Sequence, residues 1–172
     1  MEVCSIILSA GKGSRMFSDI PKPLHLISGK TMLERVIDAN KLANIEKCII
    51  VIPKKCEAFE EICHDFETVV QKIPKGTGDA VKKASNLLKK FTGVIIVCFG
   101  DTPFLTSETF KRVIKAFDNK TKLVITGFKK FEKNNYGKII FSTKNEAVEI
   151  IDQKDAEVRN IYSDYCNGGV MA

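Results

Sequence analysis

Val3-Cys4-Ser5-Ile6-Ile7-Leu8 runs directly into Ser9-Ala10-Gly11-Lys12-Gly13-Ser14-Arg15-Met16, and that into Phe17-Ser18-Asp19-Ile20-Pro21-Lys22-Pro23-Leu24. The opening run is almost wholly apolar, as suits a strand covered on both faces. The segment behind it is glycine-rich and basic. Gly11 and Gly13 lack a Cβ, so the backbone can take φ > 0 there and come close to a ligand. Successive N–H groups in such a turn form an anion-binding concavity, and Lys12, Arg15 and Lys22 add positive charge around it. A buried strand opening into this loop points to a nucleotide phosphate. It is not a Walker A loop, because no Gly-x-x-x-x-Gly-Lys-Ser/Thr run occurs. Nor is it a dinucleotide fingerprint, because Met16 stands where the third glycine should be.

Strand and helix alternate from there on. Thr31–Leu42 has apolar residues at helical spacing (Met32, Leu33, Val36, Ile37, Ala39). Lys47–Ile52 is a second apolar strand, ended by Pro53. Helices are predicted over Ala58–Phe66, Asp79–Lys90 and Ser107–Phe117, the last with Thr106 or Ser107 as its cap. Strands are predicted over Thr68–Gln71, Gly93–Phe99, Lys122–Phe128, Gly137–Phe141 and Ala147–Ile151. Continuous apolar strands between helices predict an α/β, Rossmann-like, mostly parallel sheet with helices on both faces. Ligands of such sheets bind at the carboxyl ends of the strands, where the strand order reverses.

The chain has 172 residues, 44% of them hydrophobic and 28% charged, enough for one domain with a real core. The net charge of +6 suits anionic substrates. No basic stripe is interleaved with aromatics, which argues against nucleic acid as a partner. No apolar stretch approaches membrane-spanning length, and no basic and apolar leader stands at the N-terminus. The six cysteines contain no Cys-x-x-Cys pair and read as reduced, structural residues of a cytoplasmic protein. His25 and His64 have no nucleophile or metal partner at helical spacing and read as structural or surface residues.

Four further segments can carry chemistry. In Gln71-Lys72-Ile73-Pro74-Lys75-Gly76-Thr77-Gly78-Asp79 an amide and glycine backbone can read a base edge, or Thr77 or Asp79 can simply cap a helix. In Phe99-Gly100-Asp101-Thr102-Pro103 a carboxylate at a strand end suits a hard metal, or it is a turn residue bonding its own backbone. Asn134-Asn135-Tyr136-Gly137-Lys138 either lets backbone approach a ligand or is an ordinary turn. Asp152-Gln153-Lys154-Asp155 is followed by Asn167-Gly168-Gly169, and by themselves Lys154 and Asp155 read only as a solvated charged pair.

Together, Leu8-Ser9-Ala10-Gly11-Lys12-Gly13-Ser14-Arg15-Met16 and Pro21-Lys22-Pro23-Leu24 closely resemble the signature of the sugar-1-phosphate nucleotidylyltransferases. Within that family the resemblance is to the uridylyltransferase domains acting on N-acetylglucosamine 1-phosphate, and the four later segments follow in the family's order. The resemblance implies UTP and N-acetylglucosamine 1-phosphate as substrates and Mg²⁺ as cofactor, with Asp101 as its ligand. It implies catalytic roles for Arg15, Lys22 and Asp101. It implies nucleoside contacts from Leu8, Ser9, Ala10, Gly11, Gln71, Gly76 and Thr77, with Phe99 and Gly100 also at the substrate. Sugar contacts are implied for Gly137, Asp152 and Asn167.

Lys138 replaces the family's usual arginine, and Asp152 a glutamate one methylene longer. Relative to the family, residues 1–172 are expected to be a shortened uridylyltransferase domain, lacking the second metal-ligating asparagine and the acetyltransferase β-helix. The oligomeric state is left open, a homo-oligomer included. Three rivals stand beside this reading. One is another nucleotidyl donor or sugar. The molybdenum-cofactor guanylyltransferases, for example, have a related loop, but with glycine where Phe17 stands. Another is a nucleotide-sugar-binding module without turnover. The third, a dehydrogenase, lacks a ribose-binding acid after the second strand, which ends in Ile52-Pro53.

Overall fold

β1 (Val3–Leu8) lies between two strands parallel to it, β4 (Lys47–Ile52) and β6 (Val94–Phe99), in a computed structural model that describes residues 1–11, 13, 16–54, 56–129, 134–144 and 146–172. Ile6 faces Ile49 on one edge and Val97 on the other. β5 (Glu67–Val70) continues the parallel set beyond β4. Between β1 and β4 come a small hairpin, β2 (Leu26–Ile27) and β3 (Lys30–Thr31), and then helix α1 (Met32–Leu42). Helix α2 (Glu57–Ile62) joins β4 to β5. The chain then reverses direction and crosses back to β6 through α3 (Thr77–Ala84) and a 3-10 turn at Ser85–Leu88.

Parallel crossovers are right-handed, so reversing direction moves the connecting helix to the other face of the sheet. The packing follows that rule. α1, α2 and α4 (Ser107–Lys115) supply Leu33, Val36, Phe59, Phe110 and Val113 to the cluster around Ile7, Ile50 and Ile96. On the other face α3 supplies Ala80 and Ala84 to the cluster around Ile6, Leu8, Ile49 and Val51. Alternate residues of β1 enter opposite clusters, which is why the strand is a continuous apolar run.

The helix starts differ in their caps. α1 begins with a capping box: the Thr31 hydroxyl accepts from the Glu34 N–H at 3.1 Å, and the Glu34 carboxylate accepts from the Thr31 N–H at 2.7 Å. At α4 the Thr106 hydroxyl accepts from the Thr109 N–H at 3.4 Å, a cap without the reciprocal carboxylate bond. α3 has no side-chain cap; its first flanking residue is Gly76 at φ +104°, where only glycine is unstrained. That corrects the reading of Thr77 or Asp79 as a cap, because the Asp79 carboxylate is engaged by Gln71 instead.

The rest of the sheet is mixed. β10 (Tyr165–Met171) runs antiparallel to β6, to β7 (Ile125–Lys129) and to β8 (Lys138–Phe141), and β9 (Ala147–Ile151) runs antiparallel to β8. β7 and β8 therefore share the direction of the parallel strands, and β9 and β10 oppose it. The expected α/β, mostly parallel sheet with helices on both faces is found. The β2–β3 hairpin was not expected, nor were two later elements. Asn167-Gly168-Gly169 lies inside β10, where a Cβ on Gly168 would come within 2.7 Å of Thr126 Oγ1. Close strand packing accounts for that glycine. The charged Lys154-Asp155 pair lies in a short helix, α5 (Gln153–Val158). No described helix is long and apolar enough to cross a membrane.

All six cysteines are free thiols. Burial pushes Cys4 and Cys48 up to about 11 and Cys63 to about 12, and raises Cys98 as well. A thiol held protonated in the fold ionises first in the unfolded chain. Its stabilisation is therefore complete below pH 9 and is lost as the pH rises toward the folded value. Cys48 alone should cost on the order of 2 kcal/mol between pH 9 and 11. Thermal melts across that range should fall steeply, and less steeply in Cys48→Ala; equal slopes would remove the thiol as the cause.

Candidate active site

At the carboxyl ends of the parallel strands, beside the point where the chain reverses between β1 and β6, lies a cleft of about 720 Å³. Its floor is anchored by sheet pairing that continues one residue past each strand. Ser9 N–H donates to Val51 O (2.8 Å), Gly100 N–H to Leu8 O (3.0 Å), and Gln71 N–H to Ile52 O (2.9 Å). The loops leaving these strands therefore start from a rigid base.

The first loop brings Leu8, Ser9, Ala10, Gly11 and Gly13 to the cleft. Gly13 has φ +58°, and a Cβ there would lie 2.7 Å from Lys22 Cβ and 3.3 Å from Lys22 N. Glycine is thus required twice over, for its conformation and for the close approach of Lys22. Gly11, expected to share this role, has no positive φ and open space where its Cβ would be. Lys12 and Arg15 lie outside the described residues.

Lys22 Nζ meets Asp101 Oδ2 at 2.7 Å, with the two side chains 37% and 31% exposed. A pair this open contributes about 1 kcal/mol or less, so a polyphosphate or a metal ion can exchange either partner cheaply. Asp101 is not a self-bonded turn residue. The local bond is made by its neighbour, whose Thr102 hydroxyl donates to Phe99 O at 2.6 Å, and the Asp101 carboxylate is turned to the cleft. The preceding glycine is explained by contact: a Cβ on Gly100 would collide with Ser9 Oγ and sit 3.3 Å from Leu33 Cδ1. Ser9 is 1% exposed, and its hydroxyl has no hydrogen-bond partner among the described residues.

Gln71, Gly76 and Thr77 also line the cleft. Gln71 is 4% exposed; its Nε2 donates to Gly76 O (3.2 Å) and to Asp79 Oδ2 (2.8 Å). Both donors are spent, and among the described residues nothing donates to Oε1. The amide is therefore fixed with an acceptor to spare. Phe99 completes the lining at the end of β6.

Gly137, Asp152 and Asn167 form a second group that does not line the cleft. The Asn167 N–H donates to Gly137 O at 2.8 Å. A Cβ on Gly137 would lie 3.2 Å from Ile151 O and 3.9 Å from Asn167 Cβ. Asp152 follows Ile151 as the uncapped, exposed start of α5. Asn135 and Tyr136, which join this group to the cleft lining, were not expected as site residues; the signal available was an aromatic directly before the close-approach glycine. His25 and His64 are, as expected, away from any such chemistry: His25 Nε2 bonds Ile20 O (3.2 Å), and exposed His64 pairs with Asp65 (3.1 Å).

Among the described residues no three His, Cys, Asp or Glu side chains gather into a metal cage. Asp101 is the sole carboxylate among the described residues lining the cleft, and it already faces a cation, the Lys22 ammonium. That donor set fits a Mg²⁺-like ion, which takes one or two carboxylates and completes its shell with phosphate oxygens and water.

A cleft at the switch point of an α/β sheet, with a glycine loop and lysine against one carboxylate, defines the class: nucleotide-handling α/β proteins without a Walker loop. The chain belongs to the MobA-like NTP transferase domain family, whose sequence model matches residues 5–163. It is 38% identical over 177 residues to the bifunctional protein GlmU of Ruegeria sp. (strain TM1040), covering 100% of this chain and 39% of that protein. It is 37% identical over 169 residues to the GlmU of Lactobacillus johnsonii, covering 96% and 36%. The chain thus spans under two fifths of the length of these relatives. Its fold is similar to that of HddC from Yersinia pseudotuberculosis, solved in complex with GMP-PN (TM-score 0.74, 21% identity, 99% of this chain and 76% of that one).

Proposed function

We propose that this chain transfers a uridylyl group from UTP to N-acetylglucosamine 1-phosphate. A phosphate oxygen of the sugar phosphate attacks the α-phosphorus of UTP, and the bond to pyrophosphate breaks in line. Both reactants are polyanions, so catalysis rests on positioning and charge neutralisation and needs no protein nucleophile. The observation that carries the reading is the meeting of Lys22 and Asp101 across one cleft with Gln71, Gly76 and Thr77. Lys22, with Arg15 from the first loop, neutralises the triphosphate. Asp101 is the residue that would hold Mg²⁺, which when bound supplies positive charge to the phosphate oxygens. The backbone from Leu8 to Gly11 carries the nucleoside, with Phe99 and Gly100 beneath it. Gly137, Asp152 and Asn167 are assigned to the sugar.

The spare Gln71 acceptor suits a base whose ring N–H donates, uracil at N3 or guanine at N1. This supports a second reading with a guanine nucleotide as donor, the nucleotide class held by HddC in its solved complex. Pyrophosphate release with each nucleoside triphosphate, N-acetylglucosamine 1-phosphate and Mg²⁺ tests both. Release confined to UTP supports uridylyl transfer, release with GTP alone selects the second reading, and none with any triphosphate overturns both. Gln71→Leu should raise KM for the nucleotide about tenfold, the worth of one hydrogen bond, with kcat little changed. Equal KM values would remove Gln71 from base recognition.

A further inference from the structure

Lys138, which stands where the resembling family has arginine, is 5% exposed and does not enter the cleft. It pairs with Cys166 across the β8–β10 ladder. Its Nζ lies 3.3 Å from Cys166 Sγ and 3.0 Å from Asn134 Oδ1, and the Cys166 thiol is 3.5 Å from the same Asn134 oxygen. Cys166 has no solvent exposure. Among the described residues no carboxylate approaches the Lys138 ammonium. Burying such a cation costs free energy that a surface lysine does not pay. Its two partners are a neutral amide and a sulfur. Successive residues on a strand face opposite ways, so Lys138 and Cys166 lie directly behind Gly137 and Asn167.

We propose that Lys138 and Cys166 form a reversible covalent bridge when the protein meets a hydroperoxide. The Cys166 sulfur attacks the peroxide O–O bond, which breaks. The thiol is oxidised to a sulfenic acid and the hydroperoxide is reduced to its alcohol, or to water where it is hydrogen peroxide. The Lys138 ammonium gives a proton to water, and the resulting amine then attacks that sulfur. An N–S bond forms, the S–O bond breaks, and the hydroxyl leaves as water with one N–H proton. Two equivalents of an external thiol reverse it, giving back amine and thiol and leaving as a disulfide. The amine needs little travel to reach the sulfur, and the two residues are held by Asn134 between them. A sulfur without exposure is reached by local opening. The β8–β10 ladder is suited to this, because Cys166–Lys138 is its only registered pair.

The test is peroxide treatment of the folded chain in a Cys56→Ser background, which removes the one thiol that is not buried. Peptide mass spectrometry follows. The expected result is a Lys138 peptide joined to the Cys166 peptide, lighter than their sum by two hydrogens and separated by a thiol reductant. Lys138→Arg keeps the charge but should abolish the link and leave Cys166 open to a sulfenic-acid trap. Cys166→Ala should abolish link and trapping alike. A folded chain that yields trapped Cys166 without the link, or no oxidation at Cys166, overturns the proposal. The mass readout does not depend on the assigned reaction. If uridylyl transfer also holds, the bridged protein should show a raised KM for the sugar phosphate and an unchanged KM for UTP.

Discussion

Asp101→Asn is expected to lower kcat on the order of a thousand-fold while leaving the fold intact. Asparagine is isosteric, so packing at the end of β6 is kept. What goes is the sole carboxylate among the described residues lining the cleft. The charge is needed where the transferring phosphoryl group and the leaving pyrophosphate carry theirs, so the loss falls on turnover more than on nucleotide binding. Lys22, freed from its 2.7 Å partner, can still bind phosphate, which holds KM for the nucleotide near its starting value. Pyrophosphate release at saturating substrates measures the effect, and a thermal melt within a few degrees of the parent certifies the fold. A variant retaining kcat would remove Asp101 from the chemistry.

Gly100→Ala should be the second most damaging change, through a contact that no hydropathy pattern reveals. The new methyl group would collide with Ser9 Oγ and press on Leu33 Cδ1. Overpacking of this kind costs typically 1–3 kcal/mol, and here one side must move. Movement of the strand end carries Asp101 with it, and misplacement by about 1 Å can cost on the order of 100-fold in rate. Both melting temperature and kcat should therefore fall. The causal step is open to rescue: Ser9→Gly removes the hydroxyl and its methylene, and the double variant Ser9→Gly, Gly100→Ala should recover most of the lost stability. A double variant no more stable than Gly100→Ala would place the damage elsewhere.

The parallel half and its site were legible because each residue's role there is local. β1 is buried on both faces and reads as a continuous apolar run; Met32, Leu33, Val36, Ile37 and Ala39 announce α1 by their spacing; Gly13 and Gly76 mark backbone that only glycine enters freely. β10 was not legible. Its two adjacent glycines carry no strand signal, and what holds it as a strand is the close approach of Thr126, forty-odd residues earlier in sequence. The same limit explains Asp79. As a short acid at a helix start it looks like a cap, but its partner is Gln71 on the preceding loop. Lys138 is the sharpest case. A lysine in a strand reads as solvent-facing, and only the cross-strand pairing reveals it buried against a thiol.

The position of β10 has a consequence for how the molecule is made. Through α4 the growing chain already contains every strand and helix that anchors the floor of the cleft, each joined to its neighbour by a crossover of modest length. β10 is translated much later, yet it lies inside the sheet, pairing with β6, β7 and β8 together. Pairings between distant segments form slowly, because loop closure comes before any contact rewards it. A nascent chain should therefore hold a nearly finished nucleotide cradle whose inner sheet edge, β6, is still open. An unpaired β6 edge is a template for other strands, so the interval before β10 arrives is when this protein is most exposed to mispairing. A nucleotide bound to the cradle during that interval would favour the correct arrangement.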